Sequence, residues 1–480
     1  MSRTDNILRF FEGINRIPRK SGNREPICRY LTDWAHNQGF SLHRDGTDNL
    51  VIKVPGSAGY EKAPIVVLQG HSDMVCEKTP DSDHDFTKDA VKCLVEGDWM
   101  RGDNTTLGAD NGIALALAMD IATDSFLAHP PLEILLTSDE EIGLIGANNL
   151  EEGFIEGKIL LNLDSEDEGI FTIGCAGGAD SIFSIPLKKE RLPSGMAYFK
   201  LTIGGLLGGH SGMDISLNHG NALKMAGRIL ASLCEKTELK LISLSGGSGA
   251  SNAICRDAEA VFALASTEVA VCHTLVAEWR EVLLSELKSS DPGLTVVLED
   301  EKEGEGSCLT DPSRNILLRT LRLIPHGVEK VSSDIEDLVE TSSNLAWMEV
   351  RKDSAHFLTS QRSSVMSELQ DMNLRMADLA AMAGGECETV NKYPSWQPDM
   401  SSPLLQRCKE IYTELMKKEP IVEAIHAGLE CGLIGDTYPG MDMISIGPTI
   451  KHPHTPEERL YLPSLEPFRD FLVALLASFK

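Results

Sequence analysis

The chain has 480 residues, with 44 basic and 72 acidic side chains and a formal charge of −28. That acidity excludes nucleic acid as a partner, because such binding depends on Lys and Arg neutralising phosphate, and it argues against docking on an anionic membrane surface. At roughly 100–200 residues per domain the length predicts about two to four domains, and 42% hydrophobic with 24% charged residues is ordinary soluble-globular composition.

The stretch Ile7-Leu8-Arg9-Phe10-Phe11 is too short and too interrupted for a secretion signal. No run approaches the ~20 apolar residues of a membrane span, so the expected location is the cytoplasm. The 11 cysteines are scattered and form no Cys-x-x-Cys pair, and they read as reduced thiols.

Along the first 165 residues, short apolar runs alternate with amphipathic stretches, the pattern of strand–helix repeats about a parallel sheet. Runs 64–70, 132–138 and 159–163 are the strand candidates, and 113–119, rich in Ala and Leu, predicts a helix. From about residue 179 to 393 the texture changes. Strand-like pieces at 198–203 and 345–350 mix with helical candidates at 222–234, 271–287 and 365–381, which predicts an α+β unit inserted into the first domain. Pro394-Ser395-Trp396-Gln397-Pro398 marks the return, followed by a helix at 404–417, a strand at 443–446 and a terminal helix near 468–479. The expected fold is α/β: a catalytic domain formed by 1–178 and 394–480, with a mixed, largely parallel sheet and helices on both faces. Residues 179–393 form the inserted domain.

Each of the three apolar runs ends in metal-competent side chains: His71-Ser72-Asp73, Asp139-Glu140-Glu141 and Asp164-Ser165-Glu166. Open α/β sheets bind ligands at the carboxyl ends of their strands, so the three clusters are expected to converge on one edge. His and carboxylate donors without Cys suit Zn²⁺, Mn²⁺ or Co²⁺. Residues two apart on a strand share a face, which would bring Asp73 beside His71 to orient the imidazole. Asp110 opens the Ala/Leu helix and, taken alone, reads more often as an N-cap than as a ligand. The Glu140-Glu141 pair invites a division between metal binding and activation of water. His452 and His454, in a loop after the last strand, either of them, would complete a metal set. His210 sits in the glycine-rich Gly208-Gly209-His210-Ser211-Gly212, where glycines permit close backbone approach.

Gly70-His71-Ser72-Asp73-Met74-Val75, Leu107-Gly108-Ala109-Asp110-Asn111-Gly112 and Ser138-Asp139-Glu140-Glu141-Ile142-Gly143 together resemble, in order, the metal-site motifs of the M20 family of di-metal peptidases. Ile425-His426-Ala427-Gly428-Leu429-Glu430-Cys431-Gly432 and Ser445-Ile446-Gly447-Pro448 resemble its dipeptidase branch. The resemblance implies that Asp110 bridges two zinc ions, with His71 and Asp164 completing one site and Glu141 and His454 the other. His454 is preferred to His452 because a Thr-Pro-acid stretch follows it. Glu140 would be the general base and Asp73 the holder of the His71 ring, and the peptide bond after Asp110 would be cis. The resemblance further gives His210 to the oxyanion, Asn252, Arg362 and Gly428 to substrate, and the inserted domain to homodimer formation. It implies hydrolysis of unblocked dipeptides, Xaa-His among them and β-alanyl-histidine a further candidate. An M20-type N-acyl amino acid deacylase, a di-metal phosphoesterase and a catalytically silent metal-binding scaffold are the rival readings.

Overall fold

The computed structural model describes residues 3–301 and 306–480; Met1, Ser2 and residues 302–305, which fall in the N-terminal and inserted-domain readings above, lie outside the described residues. The chain divides into two compact units. The first comprises residues 1–175, 396–424 and 429–480, and the second 176–395 and 425–428. The short segment 425–428 therefore goes with the second unit, whereas the sequence reading leaves it in the first domain. A stretch of four residues has no composition of its own by which to assign it.

The first unit is built on an eight-stranded sheet in the order Ser41–Arg44, Leu50–Val54, Leu132–Thr137, Val66–His71, Ile159–Asn162, Asp442–Ser445, Ile170–Cys175, Ile421–Ile425. Its centre is parallel: Val66–His71 runs parallel to both Leu132–Thr137 and Ile159–Asn162, and Asp442–Ser445 runs parallel to Ile159–Asn162. The flanks are antiparallel, at Leu50–Val54 on one side and Ile170–Cys175 on the other. All six residues of Val66–His71 and of Leu132–Thr137 are buried, which is why these strands read as continuous apolar runs rather than alternating ones.

Helices cover both faces. Val67, Leu135 and Leu160 pack with Ala147 of helix Ile145–Asn148 and with Cys431 and Ile434 of helix Glu430–Thr437. On the opposite face lies Ala109–Thr123, whose Ile113–Met119 stretch is apolar all round and correspondingly buried. It lies so close to the sheet that a Cβ on Gly70 would sit 2.3 Å from Asn111 Oδ1 and 3.0 Å from Ala114 Cβ, so the strand needs glycine there. A separate four-stranded sheet joins Cys93–Glu96, Trp99–Gly102, Arg459–Tyr461 and Ile450–Lys451. The last two form a hairpin whose loop carries His452, His454 and Glu458.

The second unit is an antiparallel sheet with helices Ala222–Lys236, Val269–Glu286, Asp311–Leu323 and Met366–Met382. Its core includes Phe183 and Phe357 from adjacent strands, their rings stacked at 4.6 Å. Among the described residues no helix is long and apolar enough to cross a membrane.

Candidate active site

The carboxyl ends of Val66–His71, Leu132–Thr137 and Ile159–Asn162 lie side by side in the parallel centre of the sheet, and their following residues meet. His71 Nε2 is 3.0 Å from Asp110 Oδ1 and 3.5 Å from Asp164 Oδ1. His454 Nε2 is 3.0 Å from Asp110 Oδ2 and 3.1 Å from Glu141 Oε2. Asp110 thus turns one oxygen to each histidine, with a further carboxylate beside each ring. His71, Asp110 and Glu141 offer ligand atoms all within 4.8 Å of one another. Glu141 Oε1 and Asp164 Oδ1 are buried without a hydrogen-bond partner. Buried carboxylate oxygens without a partner, on side chains beside imidazole nitrogens, belong to a donor set that divalent cations satisfy.

The local backbone explains how the set assembles. Asp110 does not cap its helix: no cap bond is made by the residue before it, and Asp110 and Asn111 are non-helical with a cis peptide bond between them. Asn111 instead accepts the His71 N–H at 3.1 Å and donates to the Leu163 carbonyl at 3.0 Å, bracketing two strand ends. His454 is held at φ 60°, left-handed backbone that a non-glycine residue rarely adopts and that recurs at functional sites. His452 has no side-chain contact with the cluster among those seen here, so of the two histidines only His454 reaches it.

Asp73 reaches His71, its Oδ1 3.4 Å from Nδ1, though not by strand alternation: the strand ends at His71 and the chain bends at Ser72. The Asp73 carboxylate also accepts the N–H groups of Glu140 at 3.0 Å and Glu141 at 3.3 Å and the Ser21 hydroxyl at 2.7 Å. It therefore anchors the acidic pair as well as the imidazole. Burial works against its charge, but His71, Ser21 and the Glu140 amide outweigh that and hold it at about 2. Asp139 turns away from the cluster to Arg24 and the Gly22 N–H.

The site is crowded with negative charge. Burial, then the neighbouring Asp164, Glu430 and Glu141, push Glu140 well above the usual carboxylate range, against the pull of His71. Burial raises Asp164 to about 6, and burial followed by Asp110 and Asp164 raises Glu166 to about 8. Hydrogen bonds that His454 donates to Asp110 and Glu141 raise its pKa to about 11; His71, although burial opposes its charge, is held well above its ordinary value by Asp164, Asp110 and Asp73.

Sequence reasoning missed three charged residues. Glu430 is buried under the strand ends, accepting from Gln69 at 2.6 Å and Thr137 at 2.8 Å, in a polar chain that runs through Gln69 and Asn162 to Ser445. Glu458 accepts the amides of the Asp110 loop, and buried Arg19 donates to the carbonyls of Asp73 and Gly108. Glu430 lay within a recognised motif, which was its only signal; Arg19 and Glu458 had none.

The remaining predicted residues assemble in the second unit. His210 pairs with Ala253, and the Ser211 N–H donates to the Asn252 carbonyl at 2.8 Å, so His210 and exposed Asn252 sit on adjacent loops. His210 Nδ1 accepts the N–H groups of Gly212 and Met213, at 3.2 and 3.1 Å, which leaves its proton on Nε2 as a donor. Burial and then the charge of Arg362 lower its pKa. Arg362, 8% exposed, donates to the Tyr393 hydroxyl at 2.9 Å, and its Nε has no partner. Gly428 lies against the Tyr393 ring, where a Cβ would sit 3.0 Å from Cε2. A buried guanidinium with an open N–H suits a planar anion.

Comparison with known proteins agrees with this geometry. The chain is 40% identical to the cytosol non-specific dipeptidase of Escherichia coli K12 over 466 residues, 97% of this chain and 96% of that one. Its structure superposes on the aminoacylhistidine dipeptidase of Vibrio alginolyticus with a TM-score of 0.94 at 37% identity, covering 99% and 96% of the two chains. The aminopeptidase PepT of Bacillus cereus shares the fold at a TM-score of 0.59 and 15% identity, over 99% and 98% of the chains. The peptidase dimerisation domain of M20 enzymes matches residues 201–291. The chain belongs to the M20 family of metallopeptidases and is a peptide-bond hydrolase of its dipeptidase group.

Proposed function

We propose that this chain is a cytoplasmic, two-metal dipeptidase that cleaves unblocked dipeptides, Xaa-His among them. The observation that carries the reading is the split carboxylate of Asp110, one oxygen 3.0 Å from His71 and the other 3.0 Å from His454. That is the arrangement a bridging ligand requires. His71 and Asp164 would then hold one cation and Glu141 and His454 the other, and the N/O donor set would suit zinc, with cobalt or manganese as alternatives. Bound there, the cations would supply Lewis-acid polarisation of the scissile carbonyl and acidify water.

Glu140 takes the proton from the attacking water as its oxygen bonds to the carbonyl carbon, and returns it to the amine nitrogen as the C–N bond breaks. Asp73 holds the His71 ring and, through two N–H bonds, the position of Glu140. The His210 Nε2–H, fixed by the bonds at Nδ1, donates to the developing oxyanion. Arg362 takes the substrate's terminal carboxylate, while Asn252 and the backbone at Gly428 complete the contacts. Residues 1–178 and 394–480 serve as the catalytic domain. The inserted region 179–393, which contains the matched dimerisation segment, pairs two copies.

The test is amino acid release from Ala-His, β-Ala-His, N-acetyl-Ala and a tripeptide, each with and without a chelator and after Zn²⁺ or Mn²⁺ is added back. Chelator-sensitive cleavage of the dipeptides is expected. Cleavage of N-acetyl-Ala alone would move the function to deacylation, and no turnover with any metal would leave a binding protein.

A further inference from the structure

We propose that Glu458 is a positioning residue that ties the loop carrying Asp110 to the loop carrying His454 and thereby sets the affinity of the site for its cations. The inference rests on the reading of Asp110 and His454 as ligands. Glu458 is 2% exposed, and its carboxylate accepts four consecutive backbone N–H groups. Oε2 takes those of Leu107 at 2.8 Å and Gly108 at 2.9 Å, and Oε1 those of Ala109 at 2.7 Å and Asp110 at 3.2 Å.

The first amides of a helix have no partner within it and are ordinarily met by a nearby side chain or water. Here the residue before the helix is Gly108, which has no side chain to offer. The partner comes instead from some 350 residues further along the chain. Glu458 lies four residues after His454 and directly before Arg459–Tyr461, which is paired in register with Trp99–Gly102. One end of the carboxylate's loop is therefore fixed to a sheet. On the other side of the same turn, the Arg19 guanidinium donates to the Asp73 carbonyl at 2.6 Å and the Gly108 carbonyl at 2.5 Å. A Cβ at Gly108 would come within 2.4 Å of Arg19 Nη2, so only glycine fits the turn beside this guanidinium. The turn 107–110 is thus held through its N–H groups by Glu458 and through the Gly108 carbonyl by Arg19.

Glutamine cannot replace this carboxylate. It has one acceptor oxygen, and its amide N–H₂ would face two N–H groups that are themselves donors, leaving them buried and unmet. Because ligand geometry must hold to roughly 0.5 Å for tight binding, loosening the turn should appear first in metal affinity.

The experiment uses the full chain, stripped of metal and titrated with Co²⁺ against a competing chromophoric chelator, reading both the Kd and the visible Co²⁺ spectrum. Glu458→Gln is expected to bind at least tenfold more weakly than wild type, with an altered spectrum. The control is Glu133→Gln: Glu133 is another buried carboxylate of the same unit, accepting the Glu156 and Gly157 N–H groups at 2.8 and 2.9 Å, and contacts none of the proposed ligands. It should keep its Kd within twofold even if its melting temperature falls. If Glu458→Gln does not fold, Glu458→Asp, which keeps the charge one methylene short, reads the same two quantities. A Glu458 variant with wild-type Kd and spectrum overturns the proposal, as does a Glu133→Gln loss equal to its own. Wild type that takes up no Co²⁺ would overturn the metal reading, and the clamp with it.

Discussion

Five histidines divide between two opposite fields, two in the first unit and three in the second. In the first, His71 and His454 face the carboxylates of Asp110, Asp164 and Glu141, and their pKa values rise. In the second, burial and the nearby cations Arg362 and Lys224 drive the other way: His210 is lowered, His426 falls to about 3 and His326 to about 4. The first unit is a buried anionic nest that cations would neutralise. The second presents neutral donors and one unsatisfied guanidinium, which suits the charge of a peptide's carboxylate end. The net charge of −28 does not show this difference, because it is a sum over the whole chain.

The contrast can be broken first at Glu140. Glu140→Ala should lower kcat by about a thousandfold or more while metal content, measured by elemental analysis, stays near that of wild type. Turnover above a tenth of wild type would remove Glu140 from its role. A smaller effect sharpens the second unit's part. Arg362→Lys keeps the charge but loses the planar fork, so KM for a dipeptide should rise about tenfold, and KM for the same dipeptide with an amidated C-terminus should not. Equal increases for both would show that Arg362 does not read the carboxylate.

The smallest effect is on stability. His326 stays neutral in the folded chain down to about pH 4, whereas an unfolded histidine takes a proton below about 6.5. Its contribution is complete above pH 6.5 and is lost as the pH falls toward 4, because the unfolded chain then binds the extra proton. Urea unfolding of wild type and His326→Gln at pH 7 and 5.5 should therefore show the difference between them shift by about 1 kcal/mol. A pH-independent difference would mean that His326 takes up its proton in the native state as readily as in the unfolded one.

The strand ends were legible because their apolar runs stop abruptly at His71, Asp139 and Asp164, and the sheet's parallel centre follows from those runs. The antiparallel flanks were not, since nothing in Leu50–Val54 or Ile170–Cys175 distinguishes strand direction. Asp73 was found for its contact with His71, but its grip on Glu140 and Glu141 depends on a bend that has no sequence signature. Arg19 and Glu458 act through backbone groups far away in sequence, and a single buried charge leaves no periodicity to read. Asp110 shows the limit of local propensity: taken alone it reads as a helix cap, yet its carboxylate lies 3.0 Å from both His71 and His454.

The order of strands in the first sheet has a consequence for synthesis. Ile159–Asn162 and Ile170–Cys175 leave the ribosome almost together, yet between them in the sheet lies Asp442–Ser445. At about 5–20 residues per second, roughly 15–50 s separate the emergence of the outer two strands from that of the strand that fills the gap. During that interval the second unit, whose sheet is drawn from a continuous stretch of chain, can complete its pairing. The half-built sheet meanwhile presents an open, apolar strand edge, the kind of surface that invites mispairing until the last tenth of the chain arrives.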